Sequence, residues 1–143
     1  ARAGADLAHV KPHGALYHAL NRDPQAADVL LEVVSRCAPA AAIFGPPAGE
    51  LREATIRAGR LFVPEGFIDR GYLPDGNLVP RGEAGDVLHD HEAIVAQTLR
   101  LARAGCVRTL CVHGDGPEAL RWLGAARTAL RTQGVRIARP GPL

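Results

Sequence analysis

The sequence predicts an α/β fold in which short parallel strands alternate with helices. Two observations carry this. Short apolar runs recur between stretches of helical periodicity. The helical stretches open on cap and proline signals and close on glycine. Such alternation implies a parallel sheet with right-handed crossovers.

The elements follow in order. The apolar run at 7–10 reads as a strand. Asp23-Pro24 supplies a side-chain acceptor and a proline at the first helical position, opening a helix that runs to about Cys37. A buried strand is expected over 40–44, a helix over 48–58 stopped by Gly59, and a strand over 61–64. Residues 65–90 are rich in Gly, Pro and Asp and read as a long loop, with a small hairpin at "PDGN". Loops this long in compact domains are usually functional or disordered. A helix over 91–104 ends at Gly105, and a strand over 109–112 follows. The helix over 117–133 places Leu120, Leu123 and Leu130 on one face and ends at Gly134. A last strand is expected over 135–138. Five short strands fit either an open α/β sheet or part of a barrel, and the 143 residues suit a single domain.

Composition narrows the function classes. The net charge is +2 and the arginines are scattered, so no basic block marks a nucleic-acid surface. No apolar run approaches a membrane span. Cys37, Cys106 and Cys111 lack CxxC spacing and read as reduced thiols of a cytoplasmic protein. There is no P-loop and no GxSxG, and "GPPAGE" is not a dinucleotide fingerprint. The chain has no Met, and its opening "ARAGADLAHV" reads as a helix end running into a strand, the back part of a longer protein.

Three polar clusters each follow a predicted strand: Lys11-Pro12-His13-Gly14, Glu65 to Arg70, and His113-Gly114-Asp115-Gly116. In parallel α/β folds ligands bind at the carboxyl ends of the strands, so these clusters are expected to share one face. Lys11 is the single lysine beside 16 arginines, and an ammonium is a compact cation that can lose its proton, unlike a guanidinium. The bland reading, a surface lysine, is the weaker one at a strand end before proline. His13 either bonds local backbone or faces a substrate. His9 reads as a buried strand residue, and His18 as helix surface. Glu65 and Asp69 either cap turns or act as general acid and base. Arg70 and Arg81 are either surface or grip a carboxylate or phosphate. Tyr17 and Tyr72, the only tyrosines, fall beside these clusters, although Tyr often only packs. Asp115 either caps the following helix or joins His113 as an acid/base pair or as metal ligands, a weak metal signal.

"VKPHGALY" at 10–17, "EGFIDRGY" at 65–72 with "GNLVPR" at 76–81, and "CVHGDGPEA" at 111–119 resemble the signature segments of the LamB/YcsF family, the A subunits of bacterial ATP-dependent 5-oxoprolinase. The order and spacing of the segments match, and the resemblance runs from Leu7 to the C-terminus. It implies part of a distorted TIM-like (β/α) barrel of the glycoside hydrolase/deacetylase type, with the family's N-terminal Asp-Leu-Asn, Gly-Phe-His and Gly-Ala-His-Pro segments absent. It implies ATP as co-substrate, leaves a divalent metal open, and implies 5-oxoprolinase subunits B and C as partners, with self-association open too. The family's site residues fall on Lys11, His13 and Tyr17, on Glu65, Asp69, Arg70 and Arg81, and on His113 and Asp115. Lys11, His13, Glu65, Asp69, His113 and Asp115 are therefore the catalytic candidates, and Tyr17, Arg70, Tyr72 and Arg81 the substrate-binding ones. The alternatives are a metal-dependent amidase or deacetylase using His13, His113 and Asp115, and an inactive fragment that only binds partner subunits.

Overall fold

Strand β1 (His9–Val10) pairs in parallel with β2 (Ala42–Gly45), His9 opposite Ala42 and Val10 opposite Ile43. β2 pairs in parallel with β3 (Phe62–Phe67), Phe44 opposite Val63. These strands belong to a computed structural model that describes residues 7–138. The chain divides into two compact units between Glu65 and Gly66. The expected opening helix end lies outside the described residues.

In the first unit, side-chain alternation sorts the strands into two faces. Val10, Ile43 and Phe62 point to the helices α2 (Pro24–Cys37) and α3 (Glu50–Arg57), in a core with Leu20, Ala27, Leu31, Val34, Leu51 and Ala54. Ala42, Phe44 and Val63 form the cluster on the opposite face. Glu65 lies two residues after Val63, and Lys11 two after His9, so the same alternation carries both toward that second face. α2 starts as its sequence dictates: the Asp23 carboxylate accepts from the amides of Gln25 and Ala26, with Pro24 at the first helical position. Its end is tied down by Arg60, which donates to the carbonyls of Ala38 and Ala41 at 3.1 and 3.0 Å.

The second unit holds the end of β3, the loop, α4 (His91–Ala104), β4 (Thr109–Cys111) and α5 (Ala119–Thr132). The Ile68 amide donates to the Cys111 carbonyl just past β3, which sets β4 beside that end of β3. Ile68, Ile94, Leu101, Trp122 and Ala126 form its core. Asp90 caps α4 through the Ala93 amide at 2.7 Å. The expected glycine stops hold: Gly59, Gly105 and Gly134 all take positive φ. The hairpin at "PDGN" also forms, with Tyr72 bridged to Leu78.

Several expectations need correction. A short helix α1 (Gly14–Leu20) lies between β1 and α2. β1 begins at His9, with Leu7 left exposed. His9 is exposed as well, its ring stacked on Phe44 at 4.3 Å instead of buried. β3 does not stop at Pro64 but continues through Glu65-Gly66-Phe67. Gly66 suits the close packing there, since a Cβ would lie 3.1 Å from the Leu101 side chain, which would have to give way. α5 buries Ala119, Trp122, Ala126 and Leu130, while Leu120 is 83% exposed and Leu123 faces out. Both sets have helical spacing, and the bulk of Trp122 sets the buried one. Residues 135–138 are exposed and form no strand, so four strands are present among the described residues.

Candidate functional site

Each unit carries a buried carboxylate paired with a basic side chain where its strands end. In the first unit, Lys11 Nζ donates to Glu65 Oε1 at 2.8 Å. Both side chains are largely removed from water, at 14% and 3% exposure. A buried carboxylate needs a cation and hydrogen bonds to remain charged. The strand positions supply them: Lys11 follows β1, and Glu65 lies inside β3. Residues 54 apart in sequence are thereby joined.

In the second unit, the buried Asp69 (2% exposed) faces His113. Asp69 Oδ2 accepts from the His113 backbone amide at 2.8 Å and lies 2.8 Å from Nδ1 of the same residue. An oxygen already accepting from an amide also accepts from the ring, so Nδ1 carries the proton. In the neutral ring Nε2 is then the lone-pair acceptor, the tautomer that general-base chemistry requires. The ring is also stacked on Phe67, with centroids 5.4 Å apart and planes 15° apart. His113 is one-third exposed, so this oriented imidazole reaches solvent. The predicted partner of His113 was Asp115. Asp115 is exposed and makes no hydrogen bond or ion pair among the described residues, and Glu118, not Asp115, stands at the start of α5.

The turn that bears Asp69 is held from three sides. Gln97, from α4, donates to the carbonyls of Phe67 at 2.9 Å and Arg70 at 2.5 Å, with Ile68 at 3.4 Å. Tyr72 Oη accepts from the Phe67 amide at 2.7 Å. Arg70 is only 4% exposed and donates to the carbonyls of Asp86 and Val79, both at 2.7 Å. Burial, and then the charge of Arg81, lower its guanidinium pKa from the usual value. Arg70 was expected to grip a substrate, and Tyr72 to touch one; here both fasten the loop. Gln97 was missed by sequence reading, because nothing marks a helical glutamine as half-buried against a turn. The loop's outer carboxylates are held low: Asp86 mainly by the Gly82 amide, Asp75 mainly by the Asn77 side chain.

The remaining candidates take no part in these pairs. His13 is exposed at the start of α1, and its side chain caps nothing. Tyr17 is buried, edge-on to His18 at 5.9 Å. Arg81 is exposed. Among the described residues, no three His, Cys, Asp or Glu side chains gather as a metal-binding group. No helix is long and apolar enough to cross a membrane among the described residues.

The LamB/YcsF family model matches residues 1–142. A crystal structure of the lactam utilization protein from Thermus thermophilus is similar to this chain, with a TM-score of 0.83 at 34% identity. The alignment covers 95% of this chain and 59% of that one, so the chain spans well under two thirds of that protein. The likeness bears out the expected fold class, strands alternating with helices as in a TIM-like (β/α) barrel.

Proposed function

The chain belongs to the LamB/YcsF family, and from that premise we propose that it serves in the ATP-dependent opening of 5-oxo-L-proline to L-glutamate. The similar Thermus protein is a lactam utilization protein, which points to the same substrate class. A planar amide in a five-membered ring resists water. ATP coupling answers this: phosphoryl transfer to the amide oxygen releases ADP and makes the ring carbon electrophilic. Water then adds at that carbon, the C–N bond breaks, and phosphate leaves.

The observation that carries the reading is the Asp69–His113 pair, whose oriented imidazole can take the proton of attacking water at Nε2. Asp69 fixes the tautomer and supports the imidazolium that forms. Lys11, set in place by Glu65, offers a compact cation to carboxylate or phosphoryl oxygens of the reactants. In this reading the activity belongs to an assembly with 5-oxoprolinase subunits B and C. The test is glutamate formation from 5-oxoproline and ATP by that assembly carrying Lys11→Arg. A guanidinium at this position is larger and cannot lose its proton, so glutamate production should be lost. Wild-type turnover by the variant would remove Lys11 from the chemistry.

A further inference from the structure

We propose that Gln97 is the positioning residue that keeps the Asp69–His113 pair in register. Its amide nitrogen carries two hydrogens and meets two carbonyls at bonding distance, Phe67 O at 2.9 Å and Arg70 O at 2.5 Å. Those carbonyls bracket Asp69. Phe67 closes β3 and Arg70 ends the turn that follows it. The amide oxygen of Gln97 accepts from Arg100 at 3.1 Å, which fixes the orientation of the amide with its NH2 toward the turn. Carbonyls only accept, so a donor is required. A carboxylate here would meet acceptors with acceptors, and an aliphatic side chain would take the Gln97 donor from both carbonyls. A single α4 residue thus reaches both ends of the turn, beside the bonds that Tyr72 and Arg70 make.

The consequence falls on His113. Its amide and Nδ1 both converge on one oxygen, Asp69 Oδ2, so a small displacement of Asp69 breaks two bonds together. The imidazole then loses the constraint that keeps the proton on Nδ1. Gln97 touches no reacting atom in this account; it acts through Asp69. The inference rests on the reading of His113 as the proton-transfer group only for its effect on rate. Its structural part is read separately.

The readout is the nitrogen NMR spectrum of His113 in the full chain. Wild type should show the Nδ1–H tautomer, and Gln97→Met, similar in length and apolar, should show a mixture with Nε2–H. Gln97→Lys restores a donor and should return the wild-type spectrum. An unchanged His113 spectrum in folded Gln97→Met overturns the proposal. If that variant does not fold, the wild-type side-chain amide decides. Slow exchange of the Gln97 NH2 with solvent supports the brace, and exchange as fast as that of an exposed glutamine overturns it. In the assembled enzyme Gln97→Met should lower kcat by up to about 100-fold, as a misplaced catalytic group does, with KM little changed. The expected tautomer shift without any loss of kcat would sink the proposed function and leave the brace standing.

Discussion

Replacing Lys11 with Met leaves Glu65 Oε1 without its cation in a position only 3% exposed to water. The pair is close, at 2.8 Å, but its Coulomb attraction is offset by the cost of bringing both charges out of water. Breaking a buried pair by removing one partner typically costs about 3–5 kcal/mol, because the remaining charge stays buried. For a chain of this length about 3 °C of Tm accompanies each kcal/mol, so Lys11→Met should melt about 9–15 °C lower. An internal control is at hand. Arg57 and Asp28 form a pair at 3.2 Å with both side chains more than half exposed. Arg57→Met should therefore cost at most about 1 kcal/mol. The double variant Lys11→Met with Glu65→Leu removes both charges and should recover most of the loss. The assay is thermal or urea unfolding followed by circular dichroism. A Lys11→Met protein no less stable than Arg57→Met would refute the reasoning, since it would show that Glu65 does not depend on the ammonium.

Two further predictions concern the loop. Gly71→Ala places a Cβ against the Gly85 carbonyl, so the strap over 71–86 must shift, at about 1–3 kcal/mol of stability, read by urea unfolding. The Asp75 and Asp86 carboxyls are held below their usual values in the fold, so their contribution is present above the ordinary pKa of about 3.9 and lost as pH falls through the lower folded value. The amides of Asn77 and Gly82, which donate to these carboxyls, should accordingly exchange faster in acid than at neutral pH, beyond the chemistry of exchange itself; equal protection at both would refute this.

Four helices, all but the short α1, and their stops were legible because they are local: Asp23-Pro24, Gly59, Gly105 and Gly134 act within one turn of where they stand. The ends of strands were less so. Pro64 and Gly66 look like punctuation, yet β3 runs through both. At Gly66 it is Leu101, 35 residues away, that crowds the place a Cβ would take, and that is a tertiary fact. The α5 face was misread because leucines and alanines give its helix a broad apolar arc, within which only packing chooses Trp122 over Leu120. The site residues show the same split. Lys11, Glu65, Asp69 and His113 were marked by residue type and strand-end position. Which of them pair was not legible, since Lys11–Glu65 and Asp69–His113 each span more than 40 residues. Arg70 looked like a ligand-binding cation and is a buried fastener, because two backbone carbonyls need its donors.

The oriented imidazole of His113 is the group on which the proposed chemistry turns. The direct measurement is ATP-dependent glutamate release from 5-oxo-L-proline by the assembled enzyme, wild type against His113→Gln. General acid–base catalysis contributes about 10²–10⁴-fold, and the variant should lose that much in kcat while still assembling with its partners. A His113→Gln enzyme that releases glutamate at the wild-type rate would contradict the account.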